Sequence, residues 1–117
     1  MNGMREVGIS TIMLSEAQVT KIAKALSDRM RLRTYVEIAG SRQICAGQLG
    51  VCNMVSKATV SHHLRVLAEA GLVSSSRNGQ YVVYRANREL LLNYCRYFRA
   101  LATPKSTHEG ILGSVSK

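Results

Sequence analysis

The sequence has few large aromatic side chains, few acids and almost no proline. Its 117 residues contain no Trp, one Phe and one Pro, and seven Asp and Glu stand against sixteen Lys and Arg. A chain of this length forms one domain of ordinary size. Hydrophobic residues make up 46% of it, which is enough for a packed core, and without Trp that core must be mainly aliphatic.

Long apolar runs are also missing. The longest run is far shorter than the roughly 20 residues that a membrane-spanning helix needs. The first residues lack the basic segment followed by an apolar segment that marks a secretory signal. We therefore expect a cytoplasmic protein without a membrane partner. In a reducing compartment its three cysteines, Cys45, Cys52 and Cys95, remain thiols.

The shortage of acids leaves a net charge of +9. No Asp or Glu occurs between Glu37 and Glu69, and this stretch contains Arg42, Lys57 and Arg65. A surface that faces phosphates needs a continuous segment of low acid density. The charge therefore predicts a polyanionic partner, and its distribution favours this reading over that of a basic protein that is merely soluble.

Two segments without a clear period flank the predicted domain. Residues 1–14 show no pattern, and residues 103–117 are rich in Ser, Thr and Gly and contain the single proline. Both are expected to be weakly ordered tails, because chain ends that are not tied down by packing lose order easily. The sequence thus predicts one folded domain at residues 15–102.

Two helices are predicted in the first part of this domain. The first runs from Ser15 to Leu26 with Ser15 as its cap, and Ser27-Asp28 offers a cap for the second. Gly40 stops the second helix. The predicted apolar stripes are Val19, Ile22, Ala23 and Leu26 in the first helix, and Leu32, Tyr35, Val36 and Ala39 in the second.

A longer helix follows an ambiguous segment. Ile44 to Cys52 contains two glycines, which weaken it as a helix. Ser56 to Leu72 is a stronger helix, capped by Ser56 and stopped by Gly71. Its predicted buried stripe is Val60, Leu64 and Leu67, and the opposite face, free of acids, carries Lys57, Ser61, His62 and Arg65.

The clearest turn signal is Asn78-Gly79, which joins LVSSSR to QYVVYR. An Asn-Gly pair suits the positive φ angles of a type I′ turn, so the segment is predicted to be a two-stranded hairpin. Arg77, Asn78 and Gln80 would lie at its tip.

The last predicted helix, Glu89 to Leu101, is apolar over much of its circumference. A terminal helix on a small domain cannot bury that many faces against its own core, so a second copy of the chain is expected to cover the excess. The alternative is a helix sunk into its own domain. Cys95 is expected to be a small core residue of this helix.

The order of these elements predicts a mainly α fold with a small β-hairpin. A short helix, a tight turn and a second helix with a polar, basic face form a helix-turn-helix, whose second helix enters the major groove of DNA. Small polar and basic side chains near its start can read base edges there. The expected architecture is a winged helix-turn-helix of about five helices plus a two-stranded wing.

Three segments resemble the ArsR/SmtB family of winged-helix repressors: KALSDRMRLR (Lys24 to Arg33), SKATVSHHLRVLAEAGLV (Ser56 to Val73) and RNGQYVVYR (Arg77 to Arg85). The resemblance implies a dimeric, sequence-specific repressor that binds an inverted-repeat operator in double-stranded DNA and is released by an inducer. With Arg65 on the same basic face, the side chains expected to contact DNA are Ser56, Lys57, Thr59, Ser61, His62, His63, Arg65, Arg77, Asn78 and Gln80.

The resemblance also implies dimerisation through the first and last helices. The residues expected at the dimer interface are Val19, Ile22, Leu91, Tyr94, Phe98 and Leu101. His63 has an alternative role, because it precedes Leu64 on the buried edge of its helix and could make a structural hydrogen bond there instead of contacting DNA.

The sensing site of the family is incomplete in this sequence. Members that sense arsenic or cadmium carry two cysteines in a Leu-Cys-Val-Cys-Asp-Leu type segment, which here reads ICAGQL, with Cys45 in place and Gly47 at the second position. Members that sense zinc use Asp and His in the last helix, where Asn87 and Glu89 fall here, and His108-Glu109 in the tail has no Asp-x-His upstream. No metal or cofactor is assigned. A metal, metalloid or redox inducer acting on Cys45 stays an alternative to a different inducer or none.

A disulfide between Cys45 and Cys52 is not expected. If both lay on one helix, their Cα atoms would be about 10 Å apart at 1.5 Å per residue, whereas a disulfide needs less than about 7 Å. An architectural DNA-binding protein without a defined operator is a second function class. An enzyme is not expected, because no phosphate loop, carboxylate pair or nucleophile–base set occurs at a recognisable spacing.

Overall fold

The computed structural model describes residues 13–104. This part of the chain contains four α-helices, rather than the predicted number of about five, and three short strands. The α-helices are α1 (Glu16–Ala25), α2 (Arg29–Ala39), α3 (Lys57–Glu69) and α4 (Arg88–Ala102), and the strands are β1 (Ile44–Cys45), β2 (Val73–Asn78) and β3 (Tyr81–Ala86). The expected tails, residues 1–14 and 103–117, lie almost wholly outside the described residues, as does His108-Glu109.

The caps of α1 and α2 are those that the sequence predicts. The Ser15 hydroxyl accepts a hydrogen bond from the Gln18 amide, and the Gln18 side chain accepts one from the Ser15 amide, which completes a capping box. Asp28 accepts from the Arg31 amide at the start of α2. The Arg31 guanidinium then donates to the Ala25 carbonyl at 2.6 Å, so it binds the carbonyl end of α1 and fixes the corner between the two helices.

The stripe predicted for α2 is partly wrong. Tyr35 is buried, but Leu32 and Val36 are exposed, with 60% of Val36 accessible. The helix instead buries Thr34, Tyr35 and Ile38. Thr34 can face the core because its hydroxyl donates to the Met30 carbonyl one turn earlier at 2.8 Å, which satisfies the buried oxygen.

The ambiguous segment between α2 and α3 contains no α-helix. It begins with strand β1 and continues as two 3₁₀ helices, Ala46–Gln48 and Gly50–Asn53. Strand β1 pairs with β3, so the wing belongs to a three-stranded antiparallel sheet of order β1-β3-β2 and not to an isolated two-stranded hairpin. Val51 and Leu49 anchor the 3₁₀ segment in the core.

Helix α3 packs against this core along one face. It ends at Glu69, just before the glycine that was predicted to stop it. Val60, Leu64 and Leu67 are buried, as the stripe predicts. At its C-terminus the amide of Gly71 donates to the Ala68 carbonyl and the Leu72 amide donates to the Leu67 carbonyl, the two bonds of a Schellman motif. Gly71 has φ +82°, a left-handed conformation that favours glycine. The hydrophobic core is a single cluster of buried side chains from the helices, the 3₁₀ segment and the start of the wing. Its members are Ile22, Ala25, Tyr35, Ile38, Leu49, Val51, Val60, Leu64, Leu67, Leu72 and Val73.

The hairpin forms where the sequence predicts it, but with a different turn. Asn78 pairs with Tyr81, so the two loop residues are Gly79 and Gln80. Among the described residues only Gly71 and Gly79 have positive φ. A positive φ at the first loop residue alone is the pattern of a type II′ turn, so the predicted type I′ turn, which needs positive φ at both loop residues, is wrong.

Helix α4 extends from the sheet with little of its length covered. Asn87 caps it by accepting from the Leu90 amide, and the Asn87 side-chain amide donates to the Gly71 carbonyl at 3.1 Å, which ties α4 to the end of α3. Leu91 and Tyr94 pack partly on the core, whereas Cys95 is exposed and is not the core residue that was expected. No helix within residues 13–104 is long and apolar enough to cross a membrane.

Candidate nucleic-acid interface

The N-terminus of α3 is held rigidly by its own cap. The Ser56 hydroxyl accepts a hydrogen bond from the Thr59 amide at 3.1 Å and lies 3.0 Å from the Thr59 hydroxyl. This bond satisfies one of the free amides at the helix start. Ser56 and Thr59 therefore fix the first turn of α3, and any DNA contact they make must use the hydroxyl capacity that the cap leaves.

The outer face of α3 collects four of the predicted DNA contacts. Lys57, Ser61, His62 and Arg65 are all exposed. One Arg65 nitrogen lies 3.4 Å from His62 Nδ1, so the two side chains are neighbours one helical turn apart. No acid occurs in α3 before Glu69, its last residue. This face presents donors and positive charge with no carboxylate to compete for them. We call these four residues the outer face of α3.

His63 lies on the opposite side of α3, where the structure argues against the predicted DNA contact. Only 5% of the residue is exposed, and Nδ1 is buried without a hydrogen-bond partner. Burial lowers the pKa of His63, although the nearby Asp28 carboxylate opposes this shift. The physical reason is helical geometry, because adjacent residues point about 100° apart and His62 already occupies the outer face. The alternative of a structural hydrogen bond is not realised at Nδ1.

The wing carries the second group of predicted contacts. Arg77, Asn78 and Gln80 are exposed at the tip of the hairpin. Behind them, Arg85 donates to the Gln43 side-chain oxygen at 2.6 Å and contacts the Ser76 hydroxyl at 3.4 Å. These bonds join the residue before β1 to both wing strands, and they brace the wing against the body of the domain.

A contact that the sequence did not predict positions the 3₁₀ segment in front of α3. Both carboxylate oxygens of Glu37 accept from the Gly50 amide, at 2.9 and 3.1 Å. Glu37 lies on α2, and Gly50 begins the second 3₁₀ helix. The only sequence signal is that Glu37 is the last acid before the acid-free stretch, which does not reveal its partner 13 residues later.

The predicted dimer residues divide into two groups. Val19 and Ile22 are buried in the core of their own chain, with 1% of Ile22 exposed, so they offer little surface to a partner and their place in a dimer interface stays a prediction. An amphipathic α1 has one apolar stripe, and this stripe is used by the core. On α4, Leu91 and Tyr94 are half-buried, whereas 45% of Phe98 and 67% of Leu101 are exposed.

The three cysteines are free thiols on three different elements, β1, the second 3₁₀ helix and α4. Cys45 is half-buried at the end of β1, and Cys52 is half-buried in the second 3₁₀ helix, where its thiol donates to the Ala46 carbonyl at 3.0 Å. The two therefore do not share one helix. Within the described part of the chain no group of three or more His, Cys, Asp or Glu side chains could hold a metal ion. Asn87, near the family's zinc-ligand position, is occupied as a helix cap.

Comparison with known proteins places the same region in one family. The family model "Bacterial regulatory protein, arsR family" matches residues 53–75, which include all of α3. The transcriptional repressor SdpR of Bacillus subtilis (strain 168) is 32% identical over 73 residues, which cover 62% of this chain and 80% of SdpR.

Solved structures show the same fold. An ArsR-like transcriptional regulator from Rhodococcus sp. RHA1 superposes with a TM-score of 0.69 at 25% identity, covering 85% of this chain and 90% of the other. The homodimeric winged helix-turn-helix DNA-binding domain of a possible ArsR-family regulator from Mycobacterium bovis superposes with a TM-score of 0.59 at 23% identity, covering 74% of this chain and 79% of the other.

Proposed function

The chain belongs to the ArsR family of bacterial regulatory proteins, and from this membership we propose that it is a transcriptional repressor that binds an inverted-repeat operator as a homodimer and leaves it when an inducer binds. The observation that carries the proposal is the outer face of α3. Its four side chains are exposed and polar or basic. They lie on a helix whose first turn is fixed by its cap and which has no acid before Glu69.

Two kinds of DNA contact are assigned to this surface. Lys57 and Arg65 supply positive charge for the phosphate backbone, which gives affinity on any sequence. Ser61 and His62 project from the same face and are the proposed readers of base edges in the major groove. The exposed wing tip, with Arg77, Asn78 and Gln80, is placed on the backbone or in the minor groove beside it.

The proposed dimer uses α4. Leu92, Phe98 and Leu101 are exposed large apolar residues on one terminal helix, and Tyr94, Tyr97 and Phe98 form edge-to-face ring contacts beside them. Water contact with so much apolar surface is unfavourable, and a second copy would remove it. The Mycobacterium bovis domain with the same fold is homodimeric. A two-fold dimer presents two α3 helices and therefore requires an inverted repeat.

The chemical class of the inducer is left open at the family's metal positions, since residues 13–104 contain no group of three or more metal-ligating side chains. The thiol alternative remains, with Cys45 as its candidate, because Cys45 is half-buried rather than sealed in the core. Exposure of a thiol to solvent is a condition for its reaction with a metalloid or an oxidant. DNA release by arsenite that persists in a Cys45→Ser variant would remove this alternative.

The proposal is tested by selection of duplexes from a random library by the purified protein, followed by footprinting of the enriched sequence. We expect an inverted repeat with half-sites separated by about one helical turn, roughly 10 base pairs. A library that shows no enriched repeat, together with equal protection along any duplex, would instead assign the chain an architectural role without an operator.

A further inference from the structure

A cavity of about 400 Å³ lies between α3, the two 3₁₀ helices and the wing. Its walls come from four elements that the fold brings together at the base of the outer face of α3. The lining residues are Ala46, Gly47, Cys52, Lys57, Val60, Ser61, Leu64 and Tyr84. Cavities of this size are typical of small-molecule sites in proteins.

The walls of the cavity combine apolar side chains with one basic residue and no acidic residue. Val60 and Leu64 are buried and give the cavity an apolar floor. The lining residues with polar side chains are Cys52, Lys57, Ser61 and Tyr84, so the lining has one cationic residue, two residues with hydroxyls and no carboxylate. An apolar floor with one cation and two hydroxyls matches a small organic anion with an apolar body.

The position of the cavity links it to DNA binding. Lys57 and Ser61 belong both to its wall and to the outer face of α3. A ligand that pairs with the Lys57 ammonium removes that charge from the phosphate backbone. Because a ligand and DNA would then compete for the same side chains, each would weaken the binding of the other by the same factor.

We propose that this cavity is the inducer site of the protein and that it takes a small aromatic carboxylate, whose carboxylate pairs with Lys57 and whose ring lies on Val60 and Leu64. The inference deepens the proposed function and rests on it for its regulatory part. The site is distinct from Cys45, because Cys45 is not among the residues that line the cavity.

Gly47 offers a way to fill the cavity. A Cβ built on Gly47 meets no atom within 4 Å, and its φ is not in the left-handed region, so neither the Cβ nor the backbone opposes a larger residue there. Gly47→Leu is therefore expected to keep the fold and to occupy cavity volume. Gly47 is not among the residues proposed to contact DNA. The affinity of the Gly47→Leu variant for the selected operator should therefore stay near that of the wild type.

The experiment measures binding of 2-naphthoate by calorimetry without DNA, with neutral 2-naphthamide as the matched ligand. We expect naphthoate to bind the wild type about fivefold more tightly than naphthamide, as a charge-assisted contact predicts. Gly47→Leu should lose binding of both ligands. Lys57→Gln should lose the preference for naphthoate, and Lys57→Arg should restore it.

A second readout does not depend on variants. Cys52 lines the cavity and Cys45 does not, so naphthoate should slow alkylation of Cys52 by iodoacetamide more than that of Cys45, as fragment-ion mass mapping would show. Alkylation of Cys52 at an unchanged rate, or equal affinity for both ligands, would overturn the cavity assignment.

The regulatory part is tested by adding naphthoate to the complex with the selected duplex. Release of DNA from the wild type but not from Gly47→Leu supports an inducer site. If naphthoate binds in the cavity but leaves the affinity for DNA unchanged, only the regulatory role of the site would be overturned. Failure to select any operator would overturn the proposed function, while the calorimetry and the Cys52 readout would still decide whether the cavity binds the anion.

Discussion

His63 and His62 are neighbours in sequence but have opposite surroundings. His62 is exposed beside Arg65, whereas His63 is buried near Asp28, Arg31 and His62. Desolvation disfavours the charged imidazolium, so the pKa of His63 falls below its ordinary value of 6.5. Asp28 attracts the charged form, while Arg31 and His62 repel it, and burial outweighs the attraction. The imidazole is therefore neutral in the folded protein near neutral pH.

The buried His63 predicts a loss of stability in mild acid. Its pKa is lower in the folded than in the unfolded chain, so unfolding takes up a proton once the pH falls below the ordinary value of 6.5. The free energy of unfolding should therefore be constant above this pH and fall below it. Urea unfolding from about pH 7.5 to about pH 5 measures this slope, and His63→Gln should flatten it.

Asp28 does not interfere with this test. The hydrogen bond from the Arg31 amide lowers the pKa of Asp28 below 3.8, so its contribution to stability is present above that pH and is lost only as the pH falls further. An identical slope for the wild type and His63→Gln between about pH 7.5 and about pH 5 would show that the imidazole is not desolvated in the folded chain.

At the residue scale, the sequence predicts local features and misses distant ones. The caps at Ser15 and Ser56 and the stop at Gly71 are predicted because each bond joins residues within a few positions. The bonds from Glu37 to Gly50 and from Gln43 to Arg85 join residues 13 and 42 positions apart. No local residue pattern predicts such partners, because they meet only when separate elements of the fold pack together.

Among the elements, the helices with one clear apolar stripe are predicted well. Helix α3 buries the stripe that the sequence indicates, and its other face is polar. Helix α2 contains two overlapping stripes, and the structure uses the one with Thr34 and Ile38. The segment from Ile44 to Asn53 is a strand and two 3₁₀ helices because two glycines weaken an α-helix there and β3 offers a pairing edge.

Helix α4 is the element through which we propose that two copies of the chain associate. We predict that Phe98→Glu shifts the protein from dimer to monomer, because a charge would have to be buried in an apolar interface. Sedimentation velocity over a range of protein concentrations measures the change. Val82→Glu is the matched control, since Val82 is also an exposed apolar residue but lies on the wing.

Two sedimentation results would contradict the proposed dimer interface on α4. A wild type that sediments as a monomer at every concentration, or a Phe98→Glu variant that dimerises as well as Val82→Glu, would show that α4 does not form the interface. The alternative in which α4 is sunk into its own domain does not match the 67% exposure of Leu101.

At the scale of the whole molecule, the positive charge is arranged rather than evenly spread. The acid-free stretch between Glu37 and Glu69 contains the outer face of α3, which we propose contacts DNA, and the wing tip follows it in the sequence. The sequence predicts this arrangement correctly because charge and helix period are local properties. It does not predict that Val19 and Ile22 on α1 are buried within their own chain, because this burial depends on how the complete core closes.

We propose that the outer face of α3 separates affinity from specificity, with Lys57 on phosphates and His62 on bases. The direct test is fluorescence anisotropy with the selected duplex and a scrambled duplex over a range of salt concentrations. Lys57→Ala should weaken binding to both duplexes and reduce the salt slope by about one unit. His62→Ala should keep the slope and reduce the preference for the selected duplex about tenfold.

Lys21→Ala is the control for this measurement, because it removes the same charge beside Glu69 and Gly71, at the far end of α3. It should change neither the salt slope nor the preference. A Lys57→Ala variant that keeps the wild-type salt slope would contradict the assignment of Lys57 to phosphates. A His62→Ala variant that weakens binding to both duplexes equally would contradict the assignment of His62 to bases.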